Sequence, residues 1–173
     1  PYGGIGVDAS GCNFEGRDLF NADFTGSNFS NTNLTDVFSR YSYWSEVNFS
    51  DANLTDSTFY GANFADSDFT GANLSGANIA ASNVAGTDFS QATLTGLISG
   101  GLTGTPILPA GWISSGGYLI GPGANLSGAD LRNSVLVRAN LENGILYRAN
   151  LTNANLNDAD LTNANLSSAN LTG

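Results

Sequence analysis

The sequence predicts a solenoid, a chain wound into a four-sided coil, on three observations. A large apolar residue returns every five positions, as in Gly71-Ala-Asn-Leu-Ser-Gly-Ala-Asn-Ile-Ala and in Leu151-Thr-Asn-Ala-Asn-Leu-Asn-Asp-Ala-Asp-Leu. Two places before it stands a small residue. Like residues then recur 20 positions apart: Phe29, Phe49, Phe69 and Phe89 form one series, and Leu34, Leu54, Leu74 and Leu94 another. A period of five fits neither the 3.6 of a helix nor the 2 of a flat strand. Each five-residue word is therefore one short side of a coil, and four words close one turn.

Block one, residues 1–95, carries its large residue at Phe14, Leu19, Phe24, Phe29, Leu34, Ser39, Trp44, Phe49, Leu54, Phe59, Phe64, Phe69, Leu74, Ile79, Val84, Phe89 and Leu94. Only Ser39 departs. The preceding small slot is mostly Ala, Ser or Thr, with Arg17, Val37 and Val47 as the large departures. An inward-facing large residue is worth about 1.5–3 kcal/mol when buried, and so narrow a coil has little room for a second one. Asn, Asp, Ser, Thr and Gly suit the tight corners. Cys12 falls in a small slot and is expected as a buried, inert thiol.

The insert, residues 96–123, breaks the word. Leu94 and Leu126 are 32 positions apart, so the two blocks are out of phase. Gly and Pro interrupt residues 100–112, and Trp112-Ile-Ser-Ser-Gly-Gly-Tyr-Leu-Ile predicts a short hairpin turning at Ser115–Gly117. The hairpin is either a connector holding the blocks in one stack or a protruding contact for a partner. Block two, residues 124–173, is centred on Leu at all ten words from Leu126 to Leu171. The three segments are expected to form one continuous solenoid domain.

These words resemble the pentapeptide-repeat family, whose unit is Ala-(Asp/Asn)-Leu-X-X. Ala124-Asn-Leu-Ser-Gly, Ala129-Asp-Leu-Arg-Asn and Ala159-Asp-Leu-Thr-Asn match it literally, and about 135 of the 173 residues keep its phase. The resemblance implies an all-β fold: a right-handed four-sided parallel β-helix, about 20 residues per turn. With coils about 4.8 Å apart, the body is a rod on the order of 35 Å long.

Composition excludes much chemistry. There is no His and no Lys, so the usual triads, most zinc sites, Schiff bases and phosphate-cradling lysines are absent. The chain is not expected to be an enzyme, to hold a metal or to need a cofactor. Stacked acids (Asp36 with Asp56, Glu46 with Asp66, Asp68 with Asp88) fall short of a calcium cage and read as a solvated face. No apolar run is long enough for a transmembrane helix, so membrane insertion is not expected. The chain begins at Pro1 and has no Met; it reads as processed or partial, which leaves room for a removed export signal. Nine Asn-X-Ser/Thr triplets (at Asn28, Asn33, Asn48, Asn53, Asn73, Asn125, Asn150, Asn165 and Asn170) are products of the word itself. An extracellular or cell-surface setting is favoured over a cytoplasmic one.

Net charge is −10, which argues against direct nucleic-acid binding. Residues 1–94 hold 11 acids and two Arg; residues 95–173 hold four acids and three Arg. Block one then carries about one charge per 2.3 Å of rod, against about 1.7 Å in duplex DNA. Some members of the resembled family mimic DNA and shield gyrase, typically dimerising through a C-terminal element that this sequence, ending in plain repeat, does not show. The candidate interaction residues are the departures on the outward slots: Arg40, Tyr41 and Tyr43 beside Ser39; Trp112 and Tyr118 in the hairpin; Arg138, Tyr147 and Arg148 in block two. Val135 and Ile145, ten apart, should lie on opposite sides. Two functions follow. One is a non-enzymatic structural or interaction solenoid, a homo-oligomer stacking end to end in a surface fibre or binding a protein partner. The other is an acidic DNA mimic that binds a type II topoisomerase such as gyrase.

Overall fold

The computed structural model describes residues 3–173 and contains a right-handed four-sided parallel β-helix. Single-residue parallel bridges join positions 20 apart, from Asp8↔Asn28 to Asn150↔Asn170. The sides are numbered by their large residues. Side one holds Phe29, Phe49, Phe69 and Phe89; side two Leu34, Leu54, Leu74 and Leu94; side three Leu19, Ser39, Phe59 and Ile79; side four Phe24, Trp44, Phe64 and Val84.

Each of the five slots has its own task. The small and large slots point inward. The residue between them bridges to neighbouring coils: the Phe49 N–H donates to the Asp68 carbonyl at 2.7 Å, and the Asp68 N–H to the Val47 carbonyl at 3.0 Å. The two corner residues make a turn closed by bonds such as Ala72 N–H to Phe69 C=O at 3.0 Å. The second corner residue takes positive φ, 56° at Asn31, 58° at Asp51 and 71° at Gly71, which Gly, Asn and Asp tolerate best.

The turn also explains the Asn/Asp of the word. The bridging side chain accepts the N–H two residues on, as Asp23 Oδ1 does from Thr25 at 3.0 Å. A Ser or Thr there adds its hydroxyl to the same oxygen, 2.6 Å for Ser75 on Asn73. These local side-chain bonds satisfy corner amides that no ladder reaches, and they are why Asn-X-Ser/Thr recurs.

Inside, the phenylalanines stack: Phe49 and Phe69 lie 4.6 Å apart at 16°, Phe69 and Phe89 4.9 Å apart at 31°. Small-slot hydroxyls bond carbonyls, as Ser57 Oγ–H does to Leu54 at 2.6 Å. Among the described residues no buried side-chain polar atom lacks a partner.

Ser39 is fully buried, and its word has exchanged sizes. Val37 fills the small slot and Ser39 the large one, while the indole of Trp44 spreads into the space. Trp44 Nε1–H donates to Ser42 Oγ at 2.6 Å and to Ser39 Oγ at 3.0 Å. Ser39 Oγ–H donates to Ser42 Oγ at 2.8 Å, and Ser42 Oγ–H to the Ser39 carbonyl at 2.6 Å. The same exchange recurs on the same side at Leu97-Ile98-Ser99, with Leu97 and Ser99 both buried.

Pairing continues into the insert. Asn78 bridges Ile98, Asn83 bridges Thr103, and Asp88 bridges Ile107 after one residue is dropped. The chain then forms β1 (Ile113–Ser115) and β2 (Tyr118–Ile120), an antiparallel hairpin with Ser115 opposite Tyr118. Its two-residue turn, Gly116 (φ 59°) and Gly117 (φ 78°), has the positive φ values a tight hairpin requires. Leu119 ends the first core and Ile120 opens the second. Ile98 then bridges Asn125 across 27 positions, which carries side three from one block into the other.

One expectation is corrected. Cys12 is exposed rather than buried. It occupies a small slot of an outermost coil, and no earlier coil among the described residues covers it.

Candidate interaction face

Side three is the place where outward slots collect. Its bridging column runs unbroken through Asp18, Phe38, Thr58, Asn78, Ile98, Asn125, Ile145 and Asn165. In the same register, Phe20, Arg40 and Tyr60 share the first corner column. Tyr41 occupies the second corner and Tyr43 the next bridging slot, where it pairs with Asp23 and Asn63. Five of the six exposed aromatic side chains among the described residues are therefore neighbours: Phe20 57%, Phe38 56%, Tyr41 50%, Tyr43 48% and Tyr60 39% exposed.

The rings touch in a chain. Phe20 and Tyr41 meet edge to face at 6.1 Å and 84°, and Tyr41 and Tyr60 at 5.8 Å and 84°. A groove of about 180 Å³ lies between Asp18, Phe20, Phe38 and Arg40. Both arginines of block one, Arg17 and Arg40, belong to words of this side.

Tyr41 holds its place against local preference. Its φ is 57°, a conformation costing a non-glycine residue about 1–2 kcal/mol. It is the one aromatic residue among the described positive-φ positions. One coil on stands Gly61, where a Cβ would lie 2.7 Å from Tyr41 Cδ1. Glycine there leaves room for the ring. Tyr41 thus combines a costly backbone conformation with a ring half in solvent.

The remaining sequence-predicted residues do not join this cluster. Trp112 and Tyr118 are half-buried and pack across the joint between blocks. The Trp112 ring lies against Gly121, and Tyr118 Oη accepts the Asp130 N–H at 3.1 Å. Tyr147 lies on side three in block two, with the Arg148 guanidinium 4.9 Å above its ring centre. Arg138 belongs to side one, 3.8 Å from Asp158, an exposed pair of little energetic weight. Val135 bridges Asn155 while Ile145 bridges Asn125 and Asn165, half a turn away. Sequence reasoning found Arg40, Tyr41 and Tyr43 but passed over Phe20, Phe38 and Tyr60. The 20-residue register, applied to outward slots as it was to the core, would have gathered Phe20, Arg40 and Tyr60 into one column.

Acids concentrate opposite. Asp8, Asp68 and Asp88 lie on side one, with Glu46, Asp51 and Asp66 on its two corners; this is six of the 11 acids of block one, with no arginine of that block among them. Asp51, Asp56 and Asp66 each lie over a glycine of the next coil, Gly71, Gly76 and Gly86. Burial alone would raise the Asp68 carboxyl, but hydrogen bonds from the Thr70 hydroxyl and amide and from Ser50 hold it below the ordinary carboxylate range. Among the described residues no group of three or more His, Cys, Asp or Glu is placed to hold a metal ion.

Family models agree with this geometry. Residues 7–89 match the model of a pentapeptide repeat region, and residues 123–153 and 145–173 match that of pentapeptide repeats in eight copies. The chain belongs to the pentapeptide-repeat family. No curated protein matches it in sequence. Among solved structures, the pentapeptide-repeat protein Rfr23 from the cyanobacterium Cyanothece 51142 is similar at 20% identity, covering 60% of this chain and 88% of that one, with a TM-score of 0.51. Full-length QnrB1, a plasmid-mediated fluoroquinolone resistance protein, is similar at 18% identity, covering 97% and 92%, with a TM-score of 0.55. At such identities the likeness concerns the fold.

Proposed function

We propose that this pentapeptide-repeat chain is a non-catalytic structural rod that binds a protein partner through side three. The observation carrying this is the gathering of Phe20, Phe38, Arg40, Tyr41 and Tyr60 on side three, with Tyr43 at the adjoining bridging slot of side four, within three coils. Aromatic residues and Arg are the side chains most often found at energetic centres of interfaces. The test is a photo-crosslinking residue placed at Tyr60 or, on the opposite side, at Val135, in cells of the source organism. A discrete adduct is expected from position 60 only, and it should vanish with Phe20→Ser. Equal labelling from both positions refutes the reading.

The rod also admits contact between copies by continuation of the coil. Phe14 near one end and Leu161 and Leu166 near the other are half-buried, whereas their counterparts within the coil are fully buried. A further coil, of this chain or of a second copy, would cover them, and a head-to-tail contact that does not close gives a filament. Light scattering over a concentration series with negative-stain microscopy decides this; isolated particles at every concentration rule it out.

A second reading rests on the acidic side one. Its carboxylates, free of arginine in block one, support the DNA-mimic function toward a type II topoisomerase. A gyrase supercoiling assay unchanged by excess protein would remove it.

A further inference from the structure

We infer that the aromatic patch of side three is a binding site for a short proline-rich segment in the polyproline II conformation, lying along the rod axis. The inference rests on the reading of side three as the contact face and adds the class of its ligand.

Size argues first. The patch covers three coils, about 10 Å along the axis at 4.8 Å per coil and a similar distance across. The five half-exposed rings together offer on the order of 500 Å² of accessible surface, below the roughly 800 Å² per partner that a stable protein interface covers. A second folded copy would gain too little from this surface. A segment of four to six residues matches it.

Spacing argues second. Phe20 and Tyr60 are two coils apart in one column, with Arg40 between them. Two coils measure about 9.6 Å. A polyproline II helix repeats every three residues, about 9.3 Å. Successive turns of such a segment can therefore meet Phe20 and Tyr60 in register. Side chains on one face of a β-strand repeat at about 6.6–6.8 Å and fall out of step within the patch.

Chemistry argues third. A polyproline II segment makes no internal hydrogen bonds and leaves its carbonyls free. The patch supplies donors for them: the Arg40 guanidinium and the hydroxyls of Tyr41, Tyr43 and Tyr60. The Phe20–Tyr41–Tyr60 chain, with each ring edge-on to the next, offers aromatic faces and edges against which pyrrolidine rings can pack. Aromatic-lined grooves that receive preformed, low-entropy proline-rich segments are a general mode of peptide recognition.

The test uses the whole chain, labelled with ¹⁵N, titrated with a neutral ten-residue peptide containing two Pro-X-X-Pro units. A Gly/Ser peptide of equal length and a Val/Thr peptide serve as comparisons. Saturable shifts confined to residues around Phe20, Phe38, Tyr41 and Tyr60 are expected with the proline-rich peptide alone. Phe20→Ser and Tyr60→Ser should each weaken binding at least tenfold, and Val137→Ala, on the opposite side, should leave it unchanged. Equal response to all three peptides, or shifts elsewhere, overturns the inference. So does concentration-dependent dimerisation through the patch in sedimentation velocity. If the proline-rich peptide fails while the position-60 adduct persists, the ligand class is wrong and the contact face stands. If both fail, both fall.

Discussion

The five-residue word says that Leu at position 39 should improve this protein; the structure says the opposite. In the Ser39→Leu variant, three terms act together. The new side chain enters space already filled by Val37 and the Trp44 indole, and overpacking of a filled core costs about 1–3 kcal/mol. Ser42 Oγ loses the donor that now reaches it at 2.8 Å. Trp44 Nε1–H loses one of its two acceptors but keeps Ser42 Oγ at 2.6 Å. Each lost bond is worth about 0.5–1.5 kcal/mol. The expected total is about 2–6 kcal/mol of destabilisation, read by urea titration with Trp44 fluorescence in a Trp112→Phe background. Ser39→Ala should lose only the hydrogen-bond part, about 1–3 kcal/mol for two bonds. The double variant Val37→Ala, Ser39→Leu restores the usual small-large order and should recover at least 1 kcal/mol of the Ser39→Leu loss, a coupling of the size seen between touching residues. A Ser39→Leu variant as stable as the parent, or additive behaviour of the pair, would refute the size-exchange argument.

Further outcomes follow from the same geometry. Gly61→Ala combines positive-φ strain, about 1–2 kcal/mol, with a Cβ 2.7 Å from Tyr41 Cδ1; it should lower the unfolding midpoint and shift the Tyr41 ring resonances. Gly121→Ala puts a Cβ 2.6 Å from Trp112 Cγ and should cost about 1–3 kcal/mol by overpacking, with a change in Trp112 emission reporting the disturbed joint. Because the Asp68 carboxyl is held below its ordinary value, it contributes stability above the unfolded-state pKa of about 3.9, and that contribution is lost as pH falls through the lower folded value. Asp68→Asn keeps an oxygen for the Thr70 amide but removes the titration, so midpoints measured from pH 5 down to pH 2 should fall less steeply than in the parent.

The core was legible because a coil repeats its interior: Phe29, Phe49, Phe69 and Phe89 announce a 20-residue turn before any coordinate is known. Ser39 and the insert were less legible for one shared reason. In Val37-Phe38-Ser39 and Leu97-Ile98-Ser99 the sizes are exchanged between two inward slots, and a reading keyed to the large slot alone sees a broken word where the coil continues. Cys12 misled because slot identity predicts inward direction, whereas burial also requires a neighbouring coil. The aromatic face was half legible. Arg40, Tyr41 and Tyr43 stand out within one short stretch, but Phe20, Phe38 and Tyr60 join them only through stacking. Tyr41's conformation was legible once the second corner slot is known to take positive φ.

The claim that side three presents its aromatic residues to a partner, and not to the fold, is tested most directly by one variant carrying Phe20→Ser, Tyr41→Asn and Tyr60→Ser. Its unfolding free energy and its response to the proline-rich peptide are to be measured on the same sample. The account predicts stability within about 1 kcal/mol of the parent, as for exposed substitutions generally, since Asn at position 41 relieves the positive-φ strain, together with loss of the peptide response. Destabilisation beyond about 3 kcal/mol, or an undiminished peptide response, would contradict it.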